Sequence, residues 1–281
     1  RSMCHRNTSL LRNERYWCTM MSDKDIEEFH NIGKKQNIKK SNKFKYIQGK
    51  QITDKESGKR IYDIIGTRLP SVTTILGATK NQQFLKDWKA RVGEAEAERI
   101  KNLSSKRGTS MHKFLESHIE GIGYDDLTGI GQAAKPMAQK IIEIGLTPVE
   151  EYYGSEVMLH YPGLYAGSTD LVCNHNGLDT IIDFKQSNRP KREEWIEDYY
   201  LQIAAYCMAH DYVYESQIRQ GIIMICTPDL YFQEFKFQDE ELRSWKHKWL
   251  KRLDMYHELV HSEKEQANVE MDPKEFNESK T

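Results

Sequence analysis

Residues 167–185 read GSTDLVCNHNGLDTIIDFK. Asn176-Gly177 is a dipeptide that favours a two-residue hairpin turn, and the residues on either side have the apolar character of strands. The pattern predicts two neighbouring antiparallel strands. We expect these strands to place Asp170 close to Asp183.

Charged side chains end the second of these predicted strands. Ile181 and Ile182 indicate a buried strand, so Asp183 and Lys185 at its end occupy a costly position for charge. Because side chains alternate along a strand, both point to the same side. The carboxylates of Asp170 and Asp183 repel each other unless a proton or a cation joins them, and a hard divalent cation resolves this.

Two further pairs of polar residues have helical spacing. His112 and Glu116 are four residues apart after Gly108-Thr109, so they share one face of a predicted helix. Gln202 and Tyr206 share a face in the same way, beside small alanines that permit close packing on a sheet. His112 is a candidate nitrogen ligand for the cation.

Hydrophobic periodicity predicts an α/β sandwich with a mixed sheet. Helices are expected on both sides of a three-stranded stretch, followed by another helix and further strands. The predicted strands are two within Phe44–Ile65, then Val149–Tyr161, Tyr165–Asn174, Leu178–Phe184, Ser216–Cys226 and Tyr231–Phe237. The predicted helices start at Ser71 and cover Asn81–Ile100, Gly108–Glu120, Gln132–Ile144, Glu193–His210 and Asp239–Val260.

Charge is unevenly distributed although the formal net charge of the 281 residues is only −1. This total excludes a protein that coats DNA by charge alone. Lys34–Arg60 carries ten Lys or Arg against two acids, a net charge of +8, whereas Ser262–Thr281 carries six acids and three lysines. The basic stretch is either a solvated arm or a nucleic-acid-binding arm.

The chain divides into four predicted regions. These are an N-terminal extension (1–33), a basic β-hairpin region (34–68), the main domain (69–262) and an acidic tail (263–281). Arg1–Thr19 has four arginines and one acid, as a mitochondrial presequence has, or it precedes a start at Met20 or Met21. We expect no membrane association, since there is no apolar run of about 18 residues.

The ordered set of motifs carries a resemblance. Gly108-Thr109 with His112, then Gly-Ser-Thr-Asp at 167–170, Asp-Phe-Lys at 183–185 and Gln202 with Tyr206 resemble the PD-(D/E)XK nuclease superfamily. The similarity is to the RecB-like exonuclease branch, with its tailed-phage and mitochondrial genome maintenance members. It covers about Leu69 to Val260. It implies a restriction-endonuclease-like αβββαβ core with a mixed central sheet flanked by helices.

The resemblance also implies roles for these residues. Asp170 and Asp183 would bind Mg²⁺ or Mn²⁺, joined by His112 and the backbone carbonyl of Phe184. Lys185 would position the attacking water or stabilise developing negative charge. Gln202 would hold Lys185 or the substrate. Some members of the branch carry an iron–sulfur cluster on four cysteines, and since the five cysteines here lack that pattern, no cluster is expected.

Other polar and aromatic residues surround this predicted core. Glu116 either orients His112 or Lys185 or is a surface acid, and Tyr206 is closer to a packing residue. Glu156 lies on the first core strand, where it either faces the site or, as we expect, pairs with a basic neighbour. Trp195 either stacks a base or lies in the core. Expected contacts to nucleic acid are Arg107, placed before a predicted helix start that attracts anions, and Ser187, Lys191 and Arg192.

These observations predict a metal-dependent DNA exonuclease of recombination, repair or replication, acting on single-stranded or end-frayed DNA. Two alternatives stay open: a structure-specific endonuclease on the same core, and a module that binds nucleic acid without cutting it. The expected location is cytoplasmic, in a host cell if the protein is phage-encoded, with a mitochondrion as the alternative. The sequence identifies no protein partner.

Overall fold

In the computed structural model, which describes residues 39–54 and 58–271, the strands form one sheet of six and one of three. The strands of this part of the chain are β1 (Lys39–Lys40), β2 (Lys50–Thr53), β3 (Arg60–Ile64), β4 (Thr67–Pro70), β5 (Val149–Tyr161), β6 (Tyr165–His175), β7 (Leu178–Gln186), β8 (Gln220–Cys226) and β9 (Phe232–Gln238). Its α-helices are α1 (Val72–Thr79), α2 (Gln83–Val92), α3 (Glu94–Glu120), α4 (Gly129–Ile144), α5 (Glu197–Tyr214) and α6 (Asp239–Met271), and a 3₁₀-helix covers Glu193–Trp195.

The large sheet is mixed and has the strand order β1-β5-β6-β7-β8-β9. Strands β5, β6 and β7 pair antiparallel, whereas β7 and β8 pair parallel across the connection through α5. Asn176 and Gly177 have φ values of 49° and 77°, as the predicted turn between β6 and β7 requires. The order helix, three strands, helix, strand confirms the predicted α/β class and the αβββαβ core.

Side chains of β7 alternate between two hydrophobic clusters, one on each face of the sheet. Ile181 packs in the cluster that α1, α5 and α6 cover. Ile182 and Phe184 pack in the cluster that α3 and α4 cover. Asp183 and Lys185 therefore project from the face that α5 covers, as the alternation along the strand predicts.

The helices before the sheet differ from the prediction at one boundary. A single helix, α3, covers the positions where one helix was expected to end and another to begin at Gly108-Thr109, so that expectation is wrong. The break falls at Gly93, whose φ of 85° suits glycine. Gly108 instead lets α3 approach the sheet, because a Cβ there would lie 3.3 Å from the side chain of Gln186.

The small sheet consists of β2, β3 and β4, all antiparallel. The predicted hairpin is confirmed by β2 and β3, whereas β4 was not predicted. Ser71 caps α1 as expected, since its Oγ accepts a hydrogen bond from the N–H of Thr74 at 2.9 Å. This arrangement positions Arg60 and Tyr62 of β3 opposite the end of the large sheet.

Several predicted stretches fall outside the described residues. These are the extension (1–33), the start of the basic region (34–38), its residues 55–57 and the end of the acidic tail (272–281). Helix α6 runs to Met271, beyond Val260 where it was expected to end. None of the described helices combines the length and the apolar composition that a membrane crossing needs.

Candidate active site

A cavity of about 660 Å³ gathers residues from all four sequence motifs. Its walls are formed by β3, the start of α1, the middle of α3, strands β5 to β7 and one face of α5. The predicted residues that line it are His112, Glu116, Asp170, Asp183, Lys185, Gln202 and Tyr206. The fold thus brings together residues that are widely separated in the sequence.

Strand register aligns three carboxylates across the floor of the cavity. The pairing of β6 with β7 places Asp170 level with Asp183. The pairing of β5 with β6 places Glu156 level with Asp170 on its other side. Because neighbouring strands are about 4.8 Å apart, Asp170 stands in the middle of a short row of acids.

Two contacts fix the carboxylate of Asp170. The backbone N–H of Phe184 donates to its Oδ2 at 2.6 Å, and Nδ1 of His112 lies 3.2 Å from its Oδ1. Burial opposes ionisation of Asp170, but His112 and Lys185 outweigh it and lower its pKa. Burial also opposes protonation of His112, yet Asp170 raises the pKa of the imidazole to about 9.

Asp183 and Lys185 form a buried ion pair. The Nζ of Lys185 contacts the carboxylate of Asp183, which is only 2% exposed. Burial raises the pKa of Asp183 to about 6; Lys185 opposes this rise and Asp170 adds to it. Burial lowers the pKa of Lys185, but the carboxylates of Asp183 and Asp170 outweigh it and raise the pKa. The ammonium therefore stays charged.

An aromatic ring supports Lys185, and the sequence did not indicate it. The Nζ of Lys185 lies 5.2 Å from the centroid of the Tyr199 ring. Gln202 was expected to hold Lys185 or the substrate, but its Nε2 donates to the hydroxyl of Tyr206 at 3.0 Å. No hydrogen bond within 39–54 and 58–271 joins Gln202 to Lys185. The only sequence signal for Tyr199 is its helical spacing from Gln202.

The glycine of the Gly-Ser-Thr-Asp motif has a packing reason. A Cβ on Gly167 would lie 2.6 Å from Cε1 of Tyr206 and 3.0 Å from its hydroxyl oxygen. Only glycine therefore lets Tyr206 lie against β6 while its hydroxyl accepts the bond from Gln202. Tyr206, expected to be mainly a packing residue, packs and also lines the cavity.

Glu156 lines the cavity, which is one of the two positions that the sequence left open. Its expected basic partner is absent from the described ion pairs; instead, its Oε2 accepts a 3.4 Å hydrogen bond from Ser168 and it lines the cavity. Partial removal from water raises the pKa of Glu156 to about 7, with Asp170 adding to the rise. Its position on the first core strand was the only signal for this role.

The donor atoms in the cavity fit a divalent cation. His112, Glu156 and Asp170 offer one nitrogen and two oxygens that lie within 4.8 Å of one another. Asp183 adds a buried oxygen, Oδ2, whose partner is the ammonium of Lys185. Carboxylate oxygens with an imidazole nitrogen suit Mg²⁺ or Mn²⁺.

Arg107 lies in the middle of α3, so the argument that placed it before a helix start is wrong. Arg107 is 7% exposed, and its guanidinium donates to Oε1 of Gln186 at 2.9 Å and to Oδ1 of Asn188. The hydroxyl of Ser187 is also used internally, since it donates to the carbonyl oxygen of Arg189 at 2.7 Å. Both residues thus order the loop after β7.

The end of the same loop is more exposed. The backbone of Lys191 exchanges two hydrogen bonds with the side chain of Gln233, at 2.7 and 2.9 Å, and burial lowers the pKa of its ammonium. Arg192 lies 5.2 Å over the ring of Trp195. Trp195 is 58% exposed, so it does not lie in the core.

The chain is similar to two curated exonucleases. It is 33% identical over 226 residues to the mitochondrial genome maintenance exonuclease 1 of Mus musculus, which covers 75% of this chain and 65% of that protein. It is 30% identical over 209 residues to the protein of the same name from Homo sapiens, which covers 68% and 58% respectively. The chain spans less than two thirds of the length of either relative. No protein-family model matches it.

Among solved structures, LHK-Exo, an alkaline exonuclease from Laribacter hongkongensis, was matched in its complex with dAMP. The match has a TM-score of 0.34 and 12% identity, and it covers 58% of this chain and 84% of that one. The resemblance to exonucleases of the PD-(D/E)XK type is confirmed by the two curated relatives and by the order of the core elements.

Proposed function

We propose that this chain is a divalent-metal-dependent exonuclease that hydrolyses phosphodiester bonds in DNA. The observation that carries the proposal is the convergence of His112, Asp170, Asp183 and Lys185 in one cavity of the αβββαβ core. Similarity to two proteins named as exonucleases supports it. We infer a role in recombination, repair or replication, where such an activity removes DNA from ends.

Asp170 and Asp183 would hold Mg²⁺ or Mn²⁺, together with His112 and the backbone carbonyl of Phe184. Such a cation makes hydroxide available near neutral pH and stabilises negative charge on the phosphate. The chain prepares this site in advance, because the Phe184 N–H and the His112 ring already orient the Asp170 carboxylate. A preorganised carboxylate needs little rearrangement when it binds its ligand.

Lys185 supplies the fixed positive charge at the floor of the cavity. Its raised pKa keeps the ammonium protonated, so it acts as a donor and not as a base. From this position it donates a hydrogen bond to the attacking water oxygen or to the phosphate oxygen on which charge develops. Asp183 and the Tyr199 ring hold the ammonium from two sides.

Single-stranded or end-frayed DNA is the substrate that these surfaces favour. The side chains of Asp183 and Lys185 are only 3% and 20% exposed, so a phosphate must enter the cavity to reach them. Near the end of the loop after β7, Trp195 and Arg192 present an exposed ring and an exposed cation. Such a pair can stack a base and contact a phosphate of an unpaired strand.

An end-labelled oligonucleotide assay tests the proposal. Linear single strands that are free, 5′-blocked or 3′-blocked are compared with a closed circle, with Mg²⁺ or with EDTA. We expect stepwise loss of a linear substrate only with Mg²⁺, an intact circle, and protection by one of the two blocks. Cleavage of the circle would favour the endonuclease alternative, and binding without cleavage under any divalent ion would favour the binding module.

We infer a mitochondrial location in preference to the cytoplasmic one, because both relatives are named as mitochondrial proteins. The arginines of Arg1–Thr19 agree with this alternative. Imaging of the full chain with a C-terminal fluorescent tag tests it. Overlap with a mitochondrial dye is expected, and diffuse cytoplasmic fluorescence would contradict the inference.

A further inference from the structure

We propose that a second cavity, which we call the side cavity, binds the base and the phosphates of an unpaired nucleotide next to the one at the active site. The side cavity has a volume of about 260 Å³ and lies between α3, the loop after it and the start of α4. Ser105, Thr109 and Lys113 line both cavities, so the two meet along one face of α3. The inference rests on the proposed function in taking a DNA strand as the ligand.

Two exposed lysines bring positive charge to the side cavity. Lys106 and Lys113 are seven residues apart on α3, so they share one face of the helix and lie about 10 Å apart along its axis. Neither ammonium has a hydrogen bond or an ion pair among the residues that the structure describes. A flexible ammonium without such a partner is available to contact a phosphate.

The described lining of the side cavity includes one carboxylate, that of Asp126, whose oxygens are occupied by the protein itself. Ser110 donates to its Oδ2 at 2.7 Å, and the N–H and the hydroxyl of Thr128 donate to its Oδ1 at 3.1 and 2.7 Å. These bonds, above all the one from the Thr128 hydroxyl, lower the pKa of Asp126. Asp126 therefore holds the loop in place, and two lysines against one acid leave the lining with a positive charge.

Tyr124 presents an aromatic ring in the wall of the side cavity. The ring is half-buried and packs edge-on against Phe114, with the two centroids 4.8 Å apart. The loop that carries it is fixed to α3, because the hydroxyl of Ser117 donates to the carbonyl oxygen of Ile122 at 2.8 Å. The Nζ of Lys113 lies 6.0 Å from the ring centroid. A fixed ring beside a cation is the combination that binds a base and its phosphate in single strands.

The two kinds of side chain have different consequences for the choice of substrate. Lysine contacts to phosphates add affinity for any DNA and do not distinguish paired from unpaired strands. Stacking on Tyr124 needs a base whose face is free, and in a duplex the neighbouring base pairs cover that face. The lysines therefore supply affinity, and Tyr124 supplies a preference for the unpaired strand.

The salt dependence of binding tests the role of the lysines. A dye-labelled oligothymidylate is titrated with the full chain in EDTA at several NaCl concentrations, and fluorescence anisotropy gives Kd. Each phosphate contact of a single strand contributes about 0.7 to the slope of log Kd against log salt. We expect the double variant Lys106→Gln, Lys113→Gln to lower this slope by about 1.4. Lys101→Gln is the matched control, because Lys101 is an exposed lysine of α3 that pairs with Glu98 and lines neither cavity.

Two variants of Tyr124 test the role of the ring. We expect Tyr124→Leu to weaken binding of the single strand by about tenfold with an unchanged salt slope. Tyr124→Phe keeps the ring and its packing on Phe114, so it should bind as the wild type does. A blunt duplex should bind equally well to the wild type and to both variants.

Three results would overturn the proposal. These are an unchanged slope in the double lysine variant, an equal fall of the slope in Lys101→Gln, and wild-type affinity for the single strand in a folded Tyr124→Leu variant. Binding that follows the expected pattern in a chain that leaves all DNA intact would contradict only the nuclease function. Cleavage by a chain whose variants all bind normally would contradict only the role of the side cavity.

Discussion

The two ends of helix α5 lie beside polar clusters that differ in how fully their members are hydrogen-bonded. Near its end, His210 shares hydrogen bonds with Ser216 at 2.6 Å and with Tyr46 at 3.2 Å. Asp211 beside it accepts from Ser216 and the Ile218 N–H and pairs with Lys246 at 2.8 Å. Near its start, α5 covers a row of carboxylates in which Asp183 pairs with Lys185 and the exposed Glu156 accepts a 3.4 Å hydrogen bond from Ser168.

This difference separates groups that hold the fold together from groups kept for a ligand. A buried polar network stabilises a protein when every member is satisfied. Carboxylates that stay unsatisfied cost stability and persist where a ligand or a reaction needs them. We therefore expect changes near His210 to act on stability and changes in the carboxylate row to act on activity.

Replacement of Lys185 by methionine gives the largest expected effect. The variant loses the charge that stabilises the reacting phosphate, so we expect the rate of cleavage to fall by about 10²–10³-fold or more. The long apolar side chain preserves most of the packing. Single-turnover cleavage measures the rate, and a Mn²⁺ titration is the control. Loss of Mn²⁺ binding would mean that Lys185 is a structural residue.

The satisfied network predicts a pH dependence of stability. Burial lowers the pKa of His210 to about 4 from an ordinary 6.5. The unfolded chain therefore takes up a proton before the folded one, and stability is full above pH 6.5 and lost as pH falls through 4. The loss from this group is about 3 kcal/mol.

Urea unfolding of the wild type and of His210→Gln between pH 4 and pH 7 measures this contribution. We expect the wild type to be more stable at pH 7 and the difference to shrink towards pH 4. Cleavage per folded molecule should not change at pH 7. A constant difference across the range would show that protonation of His210 does not control stability.

Gly167→Ala probes the packing of Tyr206 against β6 at the carboxylate row. The added methyl lies too close to the ring, so we expect a loss of about 1–3 kcal/mol in the free energy of unfolding. Displacement of Tyr206 also breaks its bond from Gln202. Thermal melting measures the loss of stability, and a cleavage assay measures the loss of activity. Ala166→Val enlarges a neighbouring side chain that is also buried. Equal losses of stability and of cleavage in that variant would show that the effect is not specific to the contact between Gly167 and Tyr206.

Tyr199→Leu gives the smallest expected effect. Loss of the ring removes a cation–π contact, so kcat should fall by about tenfold while KM stays nearly constant. Tyr199→Phe keeps the ring and should retain the wild-type rate. If both variants lose activity equally, the hydroxyl and not the ring is responsible.

The sequence predicted the core strands well because their signals are local. The bounds of β5 to β7 were expected within two residues, since Asn176-Gly177 and the alternating side chains define them. The break at Gly93 was missed because a single glycine does not interrupt helical periodicity. Tyr199 and Glu156 were missed because their partners, Lys185 and Asp170, come from other elements and leave no regular spacing between them.

The most direct test combines activity and stability in one variant, Asp183→Asn. Because burial raises the pKa of Asp183 to about 6, its stabilising protonated form is present below pH 3.8 and lost as pH rises through 6. At pH 8 in EDTA, we expect the variant to stay folded with a lower melting temperature, because Lys185 keeps only Asp170 as a nearby carboxylate while the cost of burying the Asp183 charge is relieved. With Mg²⁺, we expect no detectable degradation of the linear oligonucleotide. Full activity in the folded variant would contradict the assignment of this row as a catalytic site.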